Sequence, residues 1–157
     1  MCGLMMIAVK KNHKIANKIN ENYCKSIISK LEHRGPDDEG VVIRQNKDTV
    51  FALMHRRLSI VDLSSRGHQP MSHDNIDLIY NGEIYNFKEI KKTLEFERGY
   101  SFNTGTDTEV LLKAYAEYGV EIFSKLNGMF AFVIFDKNNN KLIIARDRFG
   151  IKPLYYT

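Results

Sequence analysis

Met1-Cys2-Gly3-Leu4-Met5-Met6-Ile7-Ala8-Val9 sets how the rest of the chain is read. Residues 3–9 are an unbroken apolar run, which suits a buried strand more than a surface one. Cys2 is then expected at the tip of a central strand, a rigid mount for a reactive side chain. Because the Cys2 side chain is small, the initiator Met is expected to be trimmed. Trimming leaves a thiol and a free α-amino group on one residue. Unperturbed, such groups titrate near ~8.5 and ~7.7–8.0. They are matched for proton exchange at neutral pH, as in nucleophiles activated by an N-terminal amine. The dipeptide alone is a weak sign, and the rest of the chain has to strengthen it.

Working outward, residues 17–32 read as a helix, with Ile19, Tyr23, Ile27, Ile28 and Leu31 at spacings of three and four. Cys24 within it reads as a small core residue. His33–Gly40 is a loop rich in Gly, Pro and Asp. Val41–Arg44 and Thr49–His55 read as strands joined by a turn at Gln45–Asp48. A loop at Ser64–Met71 leads to a short strand, Asp77–Tyr80. Asn81-Gly82 has the composition of a hairpin turn. That reading weakens because residues 86–95 follow as a helix, where a hairpin needs a second strand. Thr106-Asp107-Thr108-Glu109 is a capping box, opening a helix that stops at Gly119. A short helix at 120–125 is possible. Met129–Asp136 and Lys141–Asp147 read as strands buried on both faces. The chain then enters a further strand after Arg148. About eight strands and three or four helices result, consistent with sheets covered by helical layers.

Composition bounds the function. A chain of 157 residues, 43% hydrophobic and 27% charged, fits one ordinary globular domain. No run approaches the ~18 apolar residues of a membrane span, and no basic region precedes the apolar start as in a signal peptide. Two cysteines in a chain of cytosolic character predict no disulfide. The net charge of +4 raises a nucleic-acid reading. The scattered lysines, without a nucleic-acid motif, argue against it. No partner membrane or nucleic acid is therefore expected, and the location is expected to be cytoplasmic.

Eight ordered blocks carry the functional reading. They are Met1-Cys2-Gly3, Arg34-Gly35-Pro36-Asp37, His55–Asp62, His68-Gln69-Pro70-Met71, Tyr80–Asn86, Thr106–Glu109, Leu126–Phe132 and Ala145–Tyr156. With them the chain resembles the N-terminal glutaminase domain of glutamine-hydrolysing asparagine synthetase, a class II glutamine amidotransferase of the N-terminal-nucleophile hydrolase type. The resemblance spans residues 1–157. It implies an α+β fold, a four-layer α/β/β/α sandwich with two mostly antiparallel sheets. It also implies hydrolysis of L-glutamine to glutamate and ammonia through a Cys2 thioester, with the α-amino group as base. Asn81 and Gly82 are the implied oxyanion donors. Arg57, which can form a bidentate fork, is implied for the substrate carboxylate, and Asp107 and Glu83 for its ammonium. Asp107 also has a plain structural reading, as an acid in the first turn of a helix. The backbone of Leu58, Ser59, Ile60 and Val61 is implied to line the pocket. Strand alternation makes Arg56 a surface residue. Arg34–Asp37 and Arg146-Asp147-Arg148 read as loop braces through ion pairs, or as facing a partner domain.

The same family carries a synthetase domain with a Gly-rich pyrophosphate loop, and no such loop occurs in these residues. No metal or cofactor is therefore expected in this chain; ATP and Mg²⁺ belong to a synthetase domain or subunit, the expected partner. A missing last strand would leave a sheet edge unpaired. The isolated chain is accordingly expected to be marginally stable or to form homo-oligomers. Two other readings stay open: an amidotransferase donating ammonia to another acceptor, and a non-catalytic module that binds glutamine or docks to a synthetase. Retained Met1 would force the second.

Overall fold

The computed structural model describes residues 1–60 and 63–157. Among them are seven strands: β1 (Gly3–Lys10), β2 (Asp38–Gln45), β3 (Thr49–Arg57), β4 (Met71–His73), β5 (Ile76–Ile84), β6 (Gly128–Asp136) and β7 (Lys141–Arg146). Three α-helices accompany them: α1 (Glu21–Ile28), α2 (Phe87–Arg98) and α3 (Asp107–Tyr118). The strands form two antiparallel sheets, ordered β1-β3-β2 and β4-β5-β6-β7.

Strand alternation builds the layers. Leu4, Met6, Phe51 and Leu53 from one sheet meet Ile79, Val133 and Phe135 from the other. The intervening residues of the first sheet, Met5, Ile7, Ala52 and Met54, pack under Cys24 and Ile28 of α1. On the second sheet, Leu78, Tyr80, Phe130 and Phe132 pack under Leu94 of α2 and Leu111 and Leu112 of α3. Three apolar seams thus separate four layers, α/β/β/α. The central strands β3, β5 and β6 are buried on both faces, which is why they read as apolar runs without alternation; β7, expected to be buried on both faces, is not, and Ile144 on it is 44% exposed.

Several expectations need correction. Among the described residues β1 is an edge strand, and β3 lies at the centre of its sheet. β1 is apolar because both its faces are covered, not because it has two neighbours. The helix expected over 17–32 breaks into 3-10 helix Ala16–Lys18, α1 and 3-10 helix Ser29–Arg34, with Asn20 capping the Tyr23 N–H at the start of α1. Asn81-Gly82 is not a turn. It lies within β5, opposite Ala131 and Phe130. The three residues of β4 were too few to show a period. No further strand follows β7 among residues 147–157. The capping box is half formed: Thr106 Oγ1 accepts the Glu109 N–H at 3.3 Å, but the Glu109 carboxylate caps the Asn103 and Thr104 N–H groups.

Candidate active site

The two sheets open into a cleft at one end of the sandwich, and alternation aims three residues into it. Cys2 shares the parity of Leu4 and Met6, Arg57 that of Leu53, and Asn81 that of Ile79. All three point between the sheets. The pairing Gly3–Arg56 puts Cys2 beside the end of β3. The Leu58 N–H donates to Cys2 Sγ at 3.4 Å, and the thiol reaches the Leu58 carbonyl at 3.7 Å. Arg34 Nε donates to the Cys2 carbonyl at 3.2 Å. The thiol-bearing residue is therefore held at its side chain and its backbone. The cleft has a volume of about 200 Å³, below the ~300–1,000 Å³ of drug-sized sites and on the scale of one amino acid.

Arg57 lines the cleft from the end of β3. Its guanidinium donates to the Ser64 carbonyl at 2.8 Å and lies against the Cα of Gly67, where any Cβ would collide with it. Asp107 also lines the cleft, at the start of α3. Its Oδ2 accepts the Tyr80 phenol at 2.6 Å and the Ile84 N–H at 2.9 Å. Burial raises the Asp107 carboxyl above its ordinary range, while these hydrogen bonds pull the other way. Burial, and then the Asp107 charge, push the Tyr80 phenol far up, so it stays a donor. Glu83 is exposed at the rim.

Asn81 lines the cleft, and its side chain has no hydrogen-bond partner among the described residues. Gly82 is beside it. Close packing of the two strands demands this glycine: a Cβ would run into the Met129 carbonyl on β6. Leu58 and Ile60 line the cleft. Ser59 is not brought in, because its N–H is committed to Asp37 Oδ2 at 2.7 Å. Val61 lies outside the described residues.

Sequence reasoning missed several cleft residues. Tyr80 lay inside a quoted block, but only the fold shows α3 crossing over it. Gly67 looked like an ordinary turn glycine, and Lys152 like part of a strand. Met1 also lines the cleft, its Sδ 2.8 Å from the buried Lys152 Nζ. The two loop motifs also resolve. Arg56 is not a surface residue. It is buried, bound to the Gly35 carbonyl at 2.9 Å and Glu39 at 2.8 Å. Asp147 and Arg148 brace loops through backbone hydrogen bonds rather than ion pairs. Asp147 accepts the N–H groups of Phe130, Phe149, Ile151 and Lys152, and Arg148 donates to Leu126 and Ser124. Among the described residues no three His, Cys, Asp or Glu side chains converge as metal ligands, and no helix is long and apolar enough to cross a membrane.

The geometry can be set beside known proteins. Over its whole length the chain is 46% identical to "Asparagine synthetase [glutamine-hydrolyzing] 1" of Bacillus subtilis, covering 24% of that protein. It is 39% identical to "Amidase chry2" of Gibberella zeae, again over the whole chain and 24% of the relative. The chain thus spans about a quarter of the length of these relatives. Among solved structures, the glutamine phosphoribosylpyrophosphate amidotransferase of B. subtilis, complexed with ADP and GMP, superposes with a TM-score of 0.59. That match has 22% identity and covers 76% of this chain and 33% of the other, a likeness of fold. The family model for the glutamine amidotransferase domain matches residues 1–157, and the chain belongs to that family.

Proposed function

We propose that this domain hydrolyses the side-chain amide of L-glutamine and passes the ammonia to a synthetase part that makes asparagine from aspartate. One observation carries the reading. A thiol at the chain start, an uncommitted Asn amide, a cation and an anion share one cleft of amino-acid size. Arg57 takes the substrate carboxylate as a fork, and Asp107, oriented by Tyr80, takes the ammonium with Glu83 at the rim. The carboxamide then lies over Cys2.

With Met1 removed, the Cys2 α-amino group accepts the thiol proton as sulfur attacks the amide carbon. The resulting oxyanion receives hydrogen bonds from the Asn81 side chain and the Gly82 N–H. The C–N bond breaks as the amine returns the proton to the leaving nitrogen, releasing ammonia and leaving a thioester. Water adds to the thioester with the same base, and glutamate departs as the thiol is restored. The reading needs no cofactor in these residues; ATP and Mg²⁺ serve the aspartate half of the synthesis elsewhere. The likeness to a Gibberella zeae protein named as an amidase favours a second reading of the acceptor alone: the same ammonia given to another acceptor.

The test is ammonia release from glutamine, with intact mass confirming loss of Met1. Cys2→Ala and Cys2→Ser, made separately, are each expected to abolish turnover. Turnover persisting in Cys2→Ala would refute the assignment.

A further inference from the structure

Lys152 is buried, 5% exposed, and lines the cleft together with Met1 and Cys2. Its backbone is fixed, since its N–H and those of Ile151 and Phe149 are all held by the Asp147 carboxylate. Its ammonium has one polar partner among the described residues, the Met1 thioether at 2.8 Å. A thioether is a weak acceptor, so this contact does little to balance a buried cation. Only the Met1 side chain and its carbonyl separate that sulfur from the Cys2 nitrogen. Trimming Met1 therefore removes that contact and leaves the new α-amino group of Cys2 and the Lys152 ammonium lining one cleft.

We propose that Lys152 is a positioning residue that keeps the Cys2 α-amino group in its neutral, proton-accepting form. This rests on the glutaminase reading above. The physical cause is like-charge repulsion: an ammonium beside a second amine disfavours protonating it. The other charged and titratable groups around Cys2 are Arg34 at its carbonyl, Arg57 from β3, Tyr80 and Glu83 from β5, and Asp107 from α3. Asp107 is tied to Tyr80 and Ile84, and Glu83 sits at the exposed rim. Lys152 is thus a buried cation of the cleft with no acidic partner among the described residues, whereas the Arg34 guanidinium is engaged by the Cys2 carbonyl.

The experiment compares Lys152→Met and Lys152→Arg with the parent, all with Met1 removed. Two pH profiles are read: kcat/KM for glutamine, and the rate of Cys2 alkylation by iodoacetamide without glutamine, followed on the N-terminal peptide. In Lys152→Met the acid limb of both profiles should move up by about one pH unit, with KM little changed, while Lys152→Arg keeps the parent profile. A purely structural lysine would lower rates equally at all pH values. Superimposable limbs would overturn the proposal. Should Lys152→Met lose the parent's cooperative melt, Lys152→Gln carries the same test. Alkylation does not depend on turnover, so a protein inactive on glutamine would sink the glutaminase reading and still report on Lys152.

Discussion

Gly67 carries no reactive group, yet it fixes where a charge sits. The Arg57 guanidinium rests against its Cα, in the volume a Cβ would occupy. The position does not need unusual backbone angles; it needs space. Gly67→Ala meets only the far end of a flexible side chain, so the fold should tolerate it while Arg57 is displaced. One charge-assisted hydrogen bond is worth ~1.5–3 kcal/mol, so KM for glutamine should rise by about tenfold or more with kcat nearly unchanged. Arg57→Ala should move the same parameter in the same direction and further. Steady-state kinetics beside a melting curve checks both. An unchanged KM in Gly67→Ala would separate Arg57 from substrate binding. Cys2, Arg57, Asn81 and Asp107 were singled out from the sequence through the family resemblance of the blocks that hold them, and the structure gathers them in one cleft. Gly67 and Tyr80 were not singled out, because their roles depend on which distant side chain lies over them.

At the scale of elements, the segment after β7 shows how loop chemistry places a functional group. Asp147 is 3% exposed and accepts four backbone N–H groups, one from Phe130 on β6 and three from its own loop. Burial alone would raise its carboxyl, but these donors outweigh it and hold it below the ordinary carboxylate range. Asp147→Ala would leave those donors without their acceptor, at ~1–3 kcal/mol for a buried group left unsatisfied. The domain should lose at least about 2 kcal/mol in urea unfolding, and Cys2 alkylation should change because Lys152 is released. A variant as stable as the parent would show that water replaces the carboxylate. Periodicity found most elements because amphipathic spacing is local. It failed where tertiary partners decide: at β4, whose three residues carry no period, at the edge position of β1, and at Asn81-Gly82, where a turn-forming dipeptide is held extended by pairing with β6.

The whole molecule depends on two sheets staying face to face, and one buried histidine spans them beside the cleft. β4 ends opposite Leu78, so at Tyr80 the backbone of β5 has no strand neighbour on that side. Gln69 Oε1 accepts the Tyr80 N–H at 2.7 Å, and His55 Nε2 from β3 donates to the Tyr80 carbonyl at 3.0 Å. Because that partner is a carbonyl, Nε2 carries the hydrogen, and Nδ1 is left buried without a partner among the described residues. Burial lowers the His55 pKa to about 4, against a weaker opposing pull from the Tyr80 carbonyl. In the unfolded chain it returns to about 6.5. Between these values the unfolded chain binds a proton that the folded one refuses, so this contribution to stability is present above pH 6.5 and is lost as pH falls toward 4. From pH 7.5 to pH 5 the loss amounts to about 2 kcal/mol. His55→Gln keeps an N–H donor for Tyr80 but does not titrate. Urea unfolding across that range should therefore show the parent losing about 2 kcal/mol more than the variant, since the other titrating groups are common to both. Parallel curves would mean that His55 accepts its proton without parting the sheets.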